Sequence, residues 1–247
     1  MAERIGPLAA VALLCLSGGA ARAQSGPTVW VEAETDDRRR GLSWSEGRAA
    51  LRAEAGAPLG SAFRIDAGVS TARGSDRHGG ADAAIDVSAS YARDLGALRL
   101  DAGLTGYAFS GATDAPGWVE LGAGASFLYG PVELDARARY APGQSAIGGD
   151  NLYLSLGARA GVPATALSVR AHLGRGTGDA DDPIRAARLR PGGAYWDWLV
   201  GVEHVSGPLS VGLDYVGTDI GRAADPSRYA DIPHARDTVV ARVSYAF

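Results

Sequence analysis

Val132-Glu133-Leu134-Asp135-Ala136-Arg137-Ala138-Arg139-Tyr140 alternates apolar and polar residues at a strict period of two. A strand turns successive side chains to opposite faces, so one face of this segment is Val, Leu, Ala, Ala, Tyr and the other Glu, Asp, Arg, Arg. Wound as a helix, the same residues would scatter charge around the whole cylinder. Phe63–Val69, Leu98–Leu104 and Leu167–Leu173 repeat the pattern. Extended along the chain, it yields twelve strands near 28–35, 48–56, 62–71, 83–92, 97–108, 118–129, 131–140, 151–160, 166–175, 195–205, 208–217 and 237–247.

The connections decide the architecture. Five are short and turn-like: APLG, RDLGA, YGP, GVPAT and SGP. The alternate ones are longer and polar, among them ARGSDRHGGADA, APGQSAIGGD, Gly176–Ala194 and Thr218–Arg236. This alternation predicts an all-β fold, a transmembrane antiparallel up-and-down β-barrel with short periplasmic turns and long extracellular loops. Lipid offers no partner to a charge, so the apolar face must look outward and the charged face into the lumen. The outward aromatics then form two girdles, Phe63, Tyr91, Phe127, Tyr129, Tyr245 and Phe247 at the short-turn rim and Tyr140, Trp196, Trp198 and Tyr215 at the other.

Inward-facing charges are the candidate pore lining. The bases are Arg52, Arg64, Arg99, Arg137, Arg139, Arg159, Arg170 and Arg242; the acids are Glu54, Asp66, Asp86, Asp101, Glu120, Glu133, Asp135, Glu203 and Asp214. His172 joins them as a polar wall residue. Nearly balanced, these charges either pair and plug the lumen or line opposite walls of a wet channel. Small inward residues such as Gly68, Gly103, Gly124, Gly157 and Gly212 are expected to leave free space, and twelve strands suggest a narrow pore. Arg137, Arg139 and Arg159 are expected to share one wall toward the extracellular half, where a guanidinium fork suits carboxylates.

The first 23 residues have the three-part layout of a cleaved secretory signal peptide: a start with Arg4, the apolar stretch Leu8–Leu16, and Ala21-Arg22-Ala23 before Gln24. Nine apolar residues are too few for a spanning helix. Leu14 before Cys15 argues against lipidation. Residues 24–247 are then one barrel domain with no Cys, hence no disulfide framework. Loss of Glu3, Arg4 and Arg22 takes the net charge from −4 to −5, which speaks against nucleic acid as a partner. All 24 basic residues are Arg, as GC-rich coding would produce.

Candidate chemistry is thin. None of His78, His172, His204 and His234 has a second ligand at metal spacing. His78 and His234 fall in loops and are expected to be solvated. His204-Val205-Ser206 brings the residue types of a base and a nucleophile together at the short-turn rim, with no group nearby to orient the His. Asp179-Ala180-Asp181-Asp182 lacks the Gly turn and distal Glu of a calcium loop. Gly122-Ala123-Gly124 has no following helix to cradle phosphate. No catalyst, metal or cofactor is expected; an outer-membrane hydrolase and a plugged structural or adhesive barrel stand as alternatives to a solute channel.

Asp36-Asp37-Arg38-Arg39-Arg40-Gly41-Leu42-Ser43, followed by Ala50-Leu51, resembles the Y-x-x-R-G-x-S opening of the TorF-type porin-like proteins, also called the Gcw_chp family of exported bacterial proteins. Tyr195-Trp196-Asp197-Trp198, Leu209–Tyr215, Val216-Gly217-Thr218-Asp219 and the ending Asp237–Phe247 are similar to that family's C-terminal half. The resemblance implies a pore-like barrel in the outer membrane of a Gram-negative cell and no particular substrate. Its partners would be outer-membrane lipid, small solutes and the barrel-assembly machinery, the last through the C-terminal strand ending in Phe247.

Overall fold

The computed structural model describes residues 26–221 and 227–247, and the leader expected at 1–23 lies outside them. Fourteen strands follow in chain order: β1 (Thr28–Glu34), β2 (Arg38–Arg39), β3 (Leu42–Ser43), β4 (Ala50–Leu59), β5 (Phe63–Ser75), β6 (Ala81–Leu95), β7 (Leu98–Ser110), β8 (Trp118–Tyr129), β9 (Val132–Gln144), β10 (Gly149–Gly161), β11 (Leu167–Thr177), β12 (Tyr195–Ser206), β13 (Leu209–Thr218) and β14 (Thr238–Ala246). Twelve of them close into an antiparallel barrel in the order β1-β14-β13-β12-β11-β10-β9-β8-β7-β6-β5-β4. The seam is ordinary ladder, with Trp30 opposite Ala246 and Glu34 opposite Arg242. Closure leaves no edge strand, the condition for spanning lipid with β-structure.

Each expected strand is present, and the turns between β4 and β5, β6 and β7, β8 and β9, β10 and β11, and β12 and β13 are the short ones. Both barrel termini lie at this short-turn end. Several strands run further toward the long loops than the period-two pattern reaches: β5 extends to Ser75 and β9 to Gln144. There the lipid no longer imposes an apolar face, so hydrogen-bonded pairing continues after the alternation stops.

The outward face is a continuous apolar belt, with Leu156 62% and Val200 61% exposed. Such a surface would drive aggregation in water and is what hydrocarbon requires. Both expected girdles are in place. At the short-turn rim Phe63 meets Tyr91 edge-on at 5.1 Å and Tyr245 meets Phe247 at 5.0 Å. At the long-loop rim the aromatics carry polar tips: Tyr140 donates to Asp150 Oδ2 (3.2 Å), Tyr215 to Asp237 Oδ2 (2.6 Å), and Arg175 lies over the Trp196 ring. An apolar ring with a hydrated end suits the membrane interface.

The unexpected element is the connection from β1 to β4. It does not stand above the mouth as a solvated loop; it folds into the barrel as the small hairpin β2–β3. Arg40 and Gly41 take φ of 55° and 74°, the two left-handed positions of a type I′ turn. A Cβ on Gly41 would lie 2.5 Å from Thr218 Cγ2 and 2.8 Å from Asp197 Cβ, so the tip is pressed against the wall formed by β12 and β13. The Arg-Gly pair of the opening motif is therefore the turn that fits this hairpin into the lumen.

Candidate functional site, a charged lumen narrowed by an inward hairpin

The hairpin is fixed to the barrel wall by charge and by aromatic packing. Arg39 donates to both oxygens of Asp37 (3.1 Å each) and reaches Asp86 Oδ1 (3.3 Å) and Ser70 Oγ (2.9 Å). Arg40 pairs with buried Glu120 at 2.5 Å and covers the Tyr153 ring, while Tyr195 Oη donates to the Arg40 carbonyl (3.0 Å). The Arg40 guanidinium is held above its usual range: burial lowers it, and the nearby Glu120 charge more than offsets this. Trp44, a large apolar ring in an otherwise polar loop, packs with Tyr107, Phe109 and Trp118 at centroid distances of 5.7 to 5.9 Å.

Above the hairpin the remaining long loops form a cap held by arginines that bond main-chain carbonyls. Arg77 is fully buried; it donates to the carbonyls of Ser43 (3.1 Å), Arg188 (2.8 Å) and Ala230 (2.6 Å). Arg188 returns a bond to Arg77 O (2.8 Å), bonds Ala146 O (2.8 Å) and pairs with Asp114 (3.2 Å). All six long connections are tied by these two side chains. Burial pushes the Arg77 guanidinium down to about 10, so it stays charged at neutral pH. Arg190 adds bonds to the carbonyls of Asp150 and Asp179 (2.8 Å each). The acidic stretch at 179–182 serves this cap: Asp182 Oδ1 accepts from the amides of Ile184 and Arg185 and starts the single helical turn α1 (Pro183–Ala186).

His78 corrects an expectation. It is fully buried rather than solvated, stacked on Phe109 at 4.2 Å and 4.5 Å from Trp44, and neither ring nitrogen has a hydrogen-bond partner among the described residues. The turn Asp76–His78 brings it inward alongside Arg77, and a loop position gives no sequence cue for that. Burial, reinforced by the charges of Arg77, Arg188 and Arg39, holds its pKa well below the ordinary value. Released from the cap, the imidazole binds a proton below about pH 6.5; packed, it does not. The docked cap is therefore fully stable above that pH and loses up to about 1.4 kcal/mol per pH unit as pH falls below it. Acid-enhanced proteolysis of the mouth loops, abolished in His78→Phe, is the expected result; an identical pH profile in the variant refutes it. His234 is a milder departure, half-exposed and bonded through Nδ1 to Asp231 (2.7 Å).

The expected lining residues are distributed over several ion-pair groups. Arg52 binds Glu54 (2.8 Å) and Asp86 (2.9 Å); Arg64 binds Asp66 (2.6 Å); Arg99 binds Asp94 (3.1 Å). Arg242 joins Glu203 (2.8 Å) and Asp214 (3.0 Å), Arg170 also binds Asp214, and Arg159 binds Glu203 (2.8 Å). Arg137 lies loosely between Asp101 (3.6 Å) and Asp135 (3.5 Å). Among the described residues Arg139 reaches only Tyr107 Oη (3.4 Å), and Glu133 is exposed with no ion pair. His172 Nε2 meets Tyr153 Oη (2.9 Å), which also donates to Asp197 (2.9 Å).

Two details of the wall differ from the expectation. Arg159 pairs in register with Glu133, whereas Arg137 and Arg139 sit opposite Ser155 and Tyr153. Arg159 is thus nearer the short-turn rim, and the cluster of three guanidiniums splits into two plus one. The small inward residues are not free space either: a Cβ at Gly157 would collide with the Asp135 carboxylate and one at Gly212 with the Arg242 guanidinium. Charged side chains lie flat over these glycines. Sequence reading also missed Glu32, Glu34, Tyr107, Trp118, Tyr153 and Asp197, all on inward positions; the irregular first strand hid the two glutamates.

The open part of the lumen comprises two cavities of about 380 and 560 Å³, and both are lined by Asp66, Ser88, Thr105, Arg137 and Arg139. The larger one reaches the underside of the hairpin at Arg38, Arg39, Arg40, Leu42 and Trp44. His204 and Ser206 lie away from it, on the outward face of β12 with Val200 and Val202, and neither has a side-chain hydrogen bond among the described residues. Among those residues no group of three His, Cys, Asp or Glu side chains is placed to hold a metal ion.

Comparison with solved structures recovers the same architecture. A KdgM porin superposes with a TM-score of 0.56 at 11% identity, covering 89% of this chain and 99% of that one. A KdgM porin in complex with disordered oligogalacturonate gives 0.57 at 8% identity, again over 89% and 99%. At this identity the likeness concerns the fold. No curated protein matches the chain in sequence. The family model described as a bacterial protein of unknown function, Gcw_chp, matches residues 20–247, and the chain belongs to that family.

Proposed function

We propose that the protein is an outer-membrane channel for small polar or charged solutes, exported by a cleaved leader, with the inward charges as its lining. The carrying observation is the pairing of an unbroken apolar outer belt with a charged lumen whose two cavities share one wall. KdgM porin, similar in fold over nearly its whole length, supports the reading. The barrel-assembly machinery would receive the chain through β14, whose outward residues Val239, Ala241, Val243 and Tyr245 continue to Phe247.

Planar-bilayer conductance of the refolded chain tests it. Open-channel steps are expected, with Arg137→Gln/Arg139→Gln shifting selectivity toward cations because Arg137 comes no closer than 3.5 Å to a carboxylate and Arg139 reaches a tyrosine hydroxyl and no carboxylate among the described residues. Absence of any conductance rejects the channel. A plugged structural or adhesive barrel would then take its place, a reading favoured by the hairpin and cap that fill the mouth.

A further inference from the structure

One tryptophan stands in the lumen without being covered there. Of the five in the chain, Trp196 and Trp198 face lipid and Trp44 and Trp118 are buried in the aromatic cluster of the mouth, whereas Trp30 is a half-buried ring on an inward position of β1, lining the 560 Å³ cavity. Its indole N–H makes no hydrogen bond among the described residues.

Beside Trp30 the wall carries charges of alternating sign. Trp30 is opposite Glu54, Glu54 opposite Gly68 and Gly68 opposite Asp86, so one row of the ladder runs over β1, β4, β5 and β6. Arg52 lies across the gap in that row: it pairs with Glu54 at 2.8 Å and Asp86 at 2.9 Å, and its Cζ is 5.8 Å from the Trp30 ring centre. A Cβ on Gly68 would come within 2.6 Å of this guanidinium, so the glycine is what lets Arg52 lie against the wall. Arg39 of the hairpin continues the series, held by Asp86 (3.3 Å) and Asp37 (3.1 Å). From the hairpin to Trp30 the order is thus Asp37, Arg39, Asp86, Arg52, Glu54, three acids to two bases, and all of them line the cavity. Arg137 and Arg139, which have no close carboxylate among the described residues, stand on β9, six strands from Trp30 in the ring.

Resting on the channel reading, we propose that Trp30 and this strip form a sugar-binding subsite and that neutral pyranose sugars are a class of solute the channel passes. The C–H face of a pyranose is flat, apolar and weakly positive, and it meets the negative face of the indole. At the edge of the sugar ring each hydroxyl is both donor and acceptor, so it needs both kinds of partner. Alternating carboxylates and guanidiniums supply them, because an arginine has five N–H groups and a carboxylate about four acceptor sites, more than their mutual pairing uses. The strip is already fixed by its own ion pairs, so a sugar binds without ordering side chains. Charge sets the preference within the class: a neutral ring meets no net repulsion, while a ring bearing a carboxylate meets the surplus acid of the strip. The cavity volume falls in the range of about 300–1,000 Å³ that holds small ligands.

Swelling of liposomes carrying the full refolded chain provides the test, with glucose, sorbitol and sodium glucuronate as solutes. Sorbitol keeps the hydroxyls and the size of glucose but has no ring to stack; glucuronate keeps the ring and adds a carboxylate. Glucose is expected to enter about fivefold faster than either. Trp30→Leu brings glucose down to the sorbitol rate, Trp30→Phe keeps part of the advantage because an aromatic face remains, and Glu54→Gln raises glucuronate entry relative to glucose. Sorbitol entry at or above the parent rate shows that each variant barrel is intact. Equal entry of glucose and sorbitol in the parent, or a Trp30→Leu variant that keeps the glucose advantage, overturns the proposal and leaves the channel standing. Glucuronate entering the parent as fast as glucose overturns it as well, whereas no entry of any solute overturns both the proposal and the channel.

Discussion

Replacing Asp37–Ser45 by a short Gly-Ser linker is expected to raise single-channel conductance severalfold and to weaken ion selectivity. The segment crosses the lumen: its Gly41 tip rests on Thr218 and Asp197, while Arg40 and Trp44 reach Glu120 and Trp118 on the other side. Current is limited by the narrowest section, and this hairpin sets it. Closure of the barrel does not depend on the segment, because β1 and β4 pair directly from Thr28 opposite Gly56 to Glu34 opposite Ala50. The variant should accordingly refold and keep its heat-modifiable mobility in detergent gels. Conductance equal to the parent, in a correctly refolded variant, would place the constriction elsewhere.

Arg77→Ala carries the second large effect, on the cap. Its loss leaves the carbonyls of Ser43, Arg188 and Ala230 without their buried donor. An orphaned buried group costs about 1–3 kcal/mol, so the cap loses at least about 3 kcal/mol, equivalent to an opening population raised roughly a hundredfold. Lys at this position offers a point charge in place of a planar fork and should restore little. Trypsin cleavage at Arg185, Arg188 and Arg228 reports the opening, and it should accelerate about a hundredfold while the barrel core stays resistant. An unchanged cleavage rate would mean that the cap is held by the aromatic cluster around Trp44 and His78 alone.

The two effects separate the site into a part that is legible in sequence and a part that is not. Strand positions, the outward face and both girdles follow from local rules, because lipid imposes a period-two pattern on every spanning segment and the interface selects aromatics at its ends. Ion-pair partners do not follow. Arg170 with Asp214, Arg159 with Glu203 and Arg40 with Glu120 are 44, 44 and 80 residues apart, and only the ring of strands brings them together. Two local signals did mark the hairpin: an Arg-Gly pair suited to a tight turn, and Trp44 standing in a polar loop where solvent alone would not favour it.

By itself, then, the sequence determined a twelve-strand barrel, which residues face lipid and which face inward, and where the short turns fall, since each of these depends on a residue and its neighbours one or two positions away. Tertiary structure alone decided that the first long loop turns inward, that His78 loses its water, and that glycines are covered by facing charges. Those outcomes depend on closure of the ring and on contacts across a lumen about 24 Å wide, and local spacing carries no information about distances of that kind.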